Sequence, residues 1–277
     1  MDKLYIIKIG GNIIDDETKL SSFLKSFTEV EGKKILVHGG GKLATRMAEA
    51  MGVQQQMIDG RRITDAETLK IVTMVYAGYI NKNIVAQLQS IKCNAIGLCG
   101  ADGNCMLAHK RVKGKASPFE KGLEEAVDYG FAGDIDFINI DLLNLLLQNN
   151  EAVVIAPITH DGKGQLLNTN ADTIAQEVAK AMSKLYEVHL VYCFEKSGVL
   201  LDVNDETSVI EKITASKYKE LKHPHSGGMG AISAGMIPKI DNTFVALKGG
   251  VNKVIIGKAD ELQQLINGTK GTSITHE

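Results

Sequence analysis

The sequence predicts an α/β protein with helices on both faces of a mostly parallel sheet, and three observations lead to it. Apolar runs of strand length recur at residues 4–9, 35–38, 95–99, 152–156, 186–192 and 253–257. Helical patterns fill most of the intervals, and that alternation is the mark of a parallel sheet sandwiched by helices. Glycine-rich turns close the first two runs, where open sheets of this class take their ligands.

The length of 277 residues suits one large core or two modest lobes. A formal charge of −2, from 31 basic and 33 acidic residues, offers no global field for nucleic acid or anionic lipid. No apolar run approaches the ~20 residues of a membrane helix. The chain goes from Met1-Asp2-Lys3 straight into a strand pattern without signal-peptide architecture, so a cytoplasmic location is expected. Cys93, Cys99, Cys105 and Cys193 form no C-x-x-C pair, which favours reduced thiols over a disulfide framework or a zinc site.

In chain order, the first strand ends Lys8-Ile9-Gly10-Gly11-Asn12. Alternation puts Leu4, Ile6 and Lys8 on one face. A lysine there is costly unless it frays out to water or meets an anion at the sheet's carboxyl edge, and the strand alone allows both. The second run ends His38-Gly39-Gly40-Gly41-Lys42, whose backbone N–H groups can approach an anion at the next helix. Gly39, Gly41 and Ala44 also fit a dinucleotide fingerprint, but residues 54–57 make a poor second Rossmann strand. Thr64-Asp65-Ala66-Glu67 reads as a capping box opening a long helix to about residue 91. Residues 104–136, rich in Gly, Lys and Glu, read as hairpins and loops over one end of the sheet.

Asn170 is a suitable N-cap for a helix bearing Ile174, Val178 and Met182, with Asp172 in its first turn. That is ordinary capping chemistry; it also fits an acid holding two lysines in place. A third glycine segment, residues 226–235, precedes Pro238 and Lys239 in a helical first turn. A cation there opposes the helix dipole unless an anion binds, so Lys239 reads equally as an exposed lysine and as a ligand-binding one.

Taken in order, six segments resemble the amino acid kinase family. They are Lys8 with Gly10-Gly11, His38-Gly39-Gly40-Gly41, Gly60-Arg61-Arg62-Ile63-Thr64, Asn168-Thr169-Asn170-Ala171-Asp172, Lys196-Ser197-Gly198-Val199-Leu200, and Gly235-Met236-Ile237-Pro238-Lys239. The resemblance covers nearly the whole chain. It implies a three-layer αβα sandwich around an open, mostly parallel eight-stranded sheet. Residues 1–183 then form a lobe for acyl-glutamate binding and dimerisation, and 184–277 a lobe for ATP. It further implies MgATP-dependent phosphorylation of the side-chain carboxylate of N-acetyl-L-glutamate, an arginine-biosynthetic reaction.

Carried over by position, Lys8 and Lys239 neutralise the migrating phosphoryl group and Asp172 orients both. Gly40 and Gly41 offer N–H groups to the reacting carboxylate, and Arg62 and Asn168 hold the α-carboxylate. Gly10 and Gly11 border the phosphates; Gly198, Leu200, Ile232 and Ser233 line the nucleotide. Mg²⁺ rides on the ATP phosphates with no protein ligands of its own. A carboxylate nucleophile is ionised at neutral pH, so no histidine base is needed.

The chain departs from the family pattern in three places. The stretch 224–234 is longer than usual, Glu195 stands where Asp is common, and Ala132 replaces the usual Val in the lid Gly130-Phe131-Ala132-Gly133. The smaller lid residue suggests that N-succinyl-L-glutamate competes as substrate. The sequence lacks the N-terminal extension helix of arginine-inhibited relatives, so a homodimer without arginine feedback is expected. Alternatives on the same fold are kinases of aspartate, glutamate, carbamate or uridylate, and a sensor without turnover.

Overall fold

The structure is a computed structural model and describes residues 1–58, 61–111, 128–149, 151–202, 204–222 and 237–276. Its centre is an eight-stranded sheet. From one edge to the other the strands are Lys212–Ile213, Thr272–Ile274, Lys253–Lys258, Glu187–Phe194, Lys3–Ile9, Lys33–His38, Ala152–Ile155 and Ala95–Leu98. Neighbours run parallel except Lys253–Lys258 against Thr272–Ile274. The strand Lys3–Ile9 lies at the switch point, Lys8 in register with Val37 on one side and Tyr192 on the other. Connections leave that point in opposite directions, and the crevice this opens at the carboxyl ends is where sheets of this type bind ligands.

Alternation along the first strand divides the core. Leu4 and Ile6 pack with Ile174, Val178 and Met182 of the helix Ala171–Met182. Tyr5, Ile7 and Ile9 face the other way, against Phe23 and Phe27 of the helix Glu17–Thr28 and Ile84 and Leu88 of Asn81–Ser90. Removing such side chains from water contributes roughly 1.5–3 kcal/mol each, enough to fix which face every residue takes. The result is the expected three-layer sandwich.

Two expectations change. The stretch from Thr64 is not one α-helix: Ala66–Thr73 is followed by a π-helical segment, Met74–Ile80, and only then by Asn81–Ser90. Nor does Thr64 cap it. Asp65 is the N-cap, its carboxylate accepting from the Thr68 N–H at 2.7 Å, because Thr64 is committed to a β-bridge with Gly130. Residues 56–58 form no second Rossmann strand; Gln56–Ile58 pairs antiparallel with Arg61–Ile63 as a separate hairpin. The expected hairpin over the sheet end is present where described, Met106–Lys110 pairing antiparallel with Gly133–Ile138.

Candidate active site

Lys8 is only 8% exposed, and its Nζ lies 2.8 Å from Oδ1 of Asp172. Of the two fates its strand allowed, it takes the inward one. Asp172 is aimed by its helix start: the Asn170 side chain accepts from the N–H groups of Asp172 (2.9 Å) and Thr173 (3.2 Å). From the same cap the Asp172 carboxylate reaches back over the end of the first strand.

The triple glycine turn follows the neighbouring strand. The Gly39 N–H donates to the Ile9 carbonyl at 3.0 Å, tying the two strand ends together. Gly40 has φ +147, and a Cβ on it would meet Ile80 Cδ1 at 2.3 Å and Tyr76 Cδ1 at 3.1 Å. Only glycine fits against the π-helical segment. The Gly41 N–H opens the helix Gly41–Ala50, where the helix terminus favours an anion. His38 supports the turn from behind. Fully buried, it sends Nδ1–H to the Gly39 carbonyl at 2.8 Å and accepts from Asn81 Nδ2 at 3.3 Å. Burial pushes its pKa down to about 4, so it is neutral and structural.

Arg62, 7% exposed, is held by protein acceptors. Nη2 donates to the Gly41 carbonyl at 2.9 Å and to Thr45 Oγ1 at 3.0 Å, and Nη1 donates to Gln55 Oε1. These bonds hold the guanidinium at the mouth of the Gly41 helix, next to Tyr76. Asn168 donates to Thr64 Oγ1 at 3.0 Å and forms a bridge with Ala132, fixing the lid residue beside it. Lys8, Gly10, Gly11, Gly40, Gly41, Arg62, Ala132, Asn168 and Asp172 thus line one cleft.

Lys239 stands in the first turn of the helix Ile237–Lys248. Tyr218 steadies that turn, donating to Asp241 Oδ1 at 3.0 Å with the Ile237 carbonyl 3.2 Å away. Lys239 shares an adjoining cleft with Asp172 but makes no ion pair with it. Its Nζ lies 4.3 Å from the centroid of Phe194, and Lys8 Nζ lies 5.6 Å from the same ring. The two ammonium groups are therefore joined by a ring as well as facing a common acid, and the expected tether of Asp172 to both lysines is formed only to Lys8. A third cleft joins Gly10, Gly11, Lys42, Lys196, Gly198 and Lys239. Gly198 is packed against Thr272 and Val209, where a Cβ would come within 2.7 Å of Thr272 Oγ1. Leu200 is buried and bridged to Val209, away from these clefts. Ile232 and Ser233 lie outside the described residues, as does Gly60.

Sequence reasoning missed Arg61, Phe194 and Tyr76, all of which line the clefts. Arg61 lay inside a motif it had singled out, next to the arginine it chose. Among the described residues no group of three or more His, Cys, Asp or Glu could hold a metal ion.

Residues 3–258 match the amino acid kinase family. The chain belongs to that family. It is 55% identical over 270 residues to an acetylglutamate kinase of Cytophaga hutchinsonii, covering 98% of this chain and 97% of that one. To an acetylglutamate kinase of Phocaeicola vulgatus it is 50% identical, covering 99% and 98%. Among solved structures, carbamate kinase from Giardia lamblia bound to AMP-PNP superposes with a TM-score of 0.69 at 15% identity, covering 100% of this chain and 99% of that one. That similarity shows the fold; the eight-stranded sheet that the resemblance implied is present in this chain. As a member of a kinase family the chain is a phosphotransferase, with ATP as the donor the family implies.

Proposed function

We propose that this chain transfers the γ-phosphoryl group of ATP to the side-chain carboxylate of an N-acyl-L-glutamate, N-acetyl-L-glutamate first, in arginine biosynthesis. One observation carries the reading: a buried lysine paired with an aspartate, two glycine turns, an arginine and an asparagine converge on one cleft at the switch point. The near full-length acetylglutamate kinase relatives agree with it.

In this reading the substrate's α-carboxylate meets Arg62 and Asn168, and its side-chain carboxylate meets the N–H groups of Gly40 and Gly41. Lys8 and Lys239 neutralise the phosphoryl group in flight, with Asp172 holding Lys8. The ATP phosphates lie along Gly10 and Gly11, and the nucleotide along Gly198 and the segment that includes Ile232 and Ser233. Mg²⁺ accompanies ATP. The nucleophile is already ionised, so catalysis consists of in-line positioning and charge stabilisation. Residues 1–183 serve the acyl-glutamate and dimerisation, residues 184–277 the nucleotide. We assign the enzyme to the cytoplasm as a homodimer without arginine feedback; a hexamer by light scattering, or inhibition by micromolar arginine, contradicts that.

Hydroxylamine trapping tests the reaction. Hydroxamate is expected only when acyl-glutamate and MgATP are both present. Hydroxamate without acyl-glutamate, or none with it, overturns the proposal. A second reading, N-succinyl-L-glutamate as substrate, is favoured by Ala132, whose small side chain lines the cleft.

A further inference from the structure

Three cations line the cleft assigned to the acyl-glutamate: Lys8, Arg61 and Arg62. Lys8 is paired with Asp172, and Arg62 donates to Gly41, Thr45 and Gln55. The nearby Arg111 is paired with Asp134 at 3.0 Å. Arg61, half-buried, makes no side-chain hydrogen bond or ion pair among the described residues. Burial and the neighbouring Arg111 push its pKa down, against the opposing pull of Asp134, Tyr129 and Asp172. A partly desolvated guanidinium with five idle donors is costly and is best satisfied by a planar anion. The same cleft is lined by Ala132, which is bridged to Asn168, while Gly130 two residues earlier is bridged to Thr64 just after the strand of Arg61.

N-acetyl-glutamate brings two carboxylates, and both already have receivers in the proposed pose: Arg62 with Asn168, and Gly40 with Gly41. Its acyl group ends in a methyl, which can only desolvate Arg61 further. A third carboxylate at the end of a longer acyl chain would supply the missing acceptors, and alanine at position 132 leaves room for the chain. Resting on the kinase reading above, we infer that Arg61 is a specificity residue that receives a carboxylate carried by the acyl group. The substrate class this selects is the N-acyl-glutamates whose acyl chain is a dicarboxylic acid, with N-succinyl-L-glutamate as the simplest case.

The test is the ratio of kcat/KM for N-succinyl-L-glutamate to that for N-acetyl-L-glutamate, in the wild type and in Arg61→Leu and Arg61→Lys. Relative to the wild type, the ratio is expected to fall roughly 10- to 100-fold in Arg61→Leu, the loss of one charge-assisted pair. Arg61→Lys, which keeps the charge without the bidentate fork, should fall between and serves alone if the leucine variant does not fold. An unchanged ratio overturns the assignment. So does an equal loss on both substrates, which would make Arg61 a contact of the transferring phosphate. Absence of turnover on either acyl-glutamate sinks the kinase reading itself, and this inference with it.

Discussion

Lys8 and Lys239 bring the same charge to adjoining clefts from opposite kinds of support. Lys8 leaves the central strand of the sheet, is 8% exposed, and is ion-paired before any ligand arrives. Lys239 stands exposed in the first turn of a helix, where the dipole opposes its charge, and rests over the ring of Phe194. One half of the site is assembled in advance; in the proposed reading the other becomes favourable when a polyphosphate neutralises it. On that reading one site holds its acyl-glutamate rigidly and still takes a second, more highly charged substrate from solvent.

Four experiments break or sharpen that contrast. Lys8→Met and Lys239→Met should each lower kcat by roughly 10²–10³-fold with smaller effects on KM. Only Lys8→Met should also cost stability, about 1 kcal/mol, since the Asp172 side chain it leaves behind is 41% exposed and partly screened. Equal thermal shifts in the two variants would end the distinction. Gly40→Ala meets the π-helical segment at a φ that L-residues rarely adopt and should lose roughly 3–4 kcal/mol in urea unfolding. An alanine variant of wild-type stability would mean that the turn is not pre-built.

Protonation reaches the same half through His38. Its pKa is about 4 in the fold and near ~6.5 when unfolded, so between those values the unfolded chain holds the proton. This contribution is complete above about pH 6.5. It declines as pH falls toward 4, by about 3 kcal/mol in all. Denaturant midpoints from pH 7.5 to 4.5 should show the slope, and His38→Gln should flatten it. The smallest effect belongs to Phe194→Leu, which removes the ring shared by both ammonium groups. A loss in kcat of about tenfold, restored by Phe194→Tyr, is expected from a cation–π contact. A variant with kcat unchanged would leave the lysines independent of that ring.

Six of the eight strands were legible because each is a continuous apolar run, the pattern that a parallel sheet covered on both faces demands. The last two strands at one end of the sheet, Lys212–Ile213 and Thr272–Ile274, were not, being two and three residues long with no periodicity to read. Thr64 was mistaken for a cap because its bridge to Gly130 joins residues 66 apart in sequence, beyond any local pattern. Lys8, Asp172 and the glycine turns could be found from the chain since their chemistry is local: a charge in an apolar strand, an acid after a cap, glycines after a run. Arg61 and Phe194 could not. That one arginine of an adjacent pair is spoken for and the other idle depends on Gly41, Thr45 and Gln55 converging in space. That a ring sits between two lysines 231 positions apart is likewise a fact of packing.

The wide turn Met74–Ile80 limits how this region can change. Each residue removed from a helix rotates everything after it by about 100° and draws it back ~1.5 Å. Deleting Gly78, which has nothing around its Cα within reach of a methyl, looks harmless by volume. It would nonetheless swing Asn81 off His38 and leave Gly40 without its facing wall. Met74 and Tyr79 are exposed there and free to be other letters. The number of letters is not free.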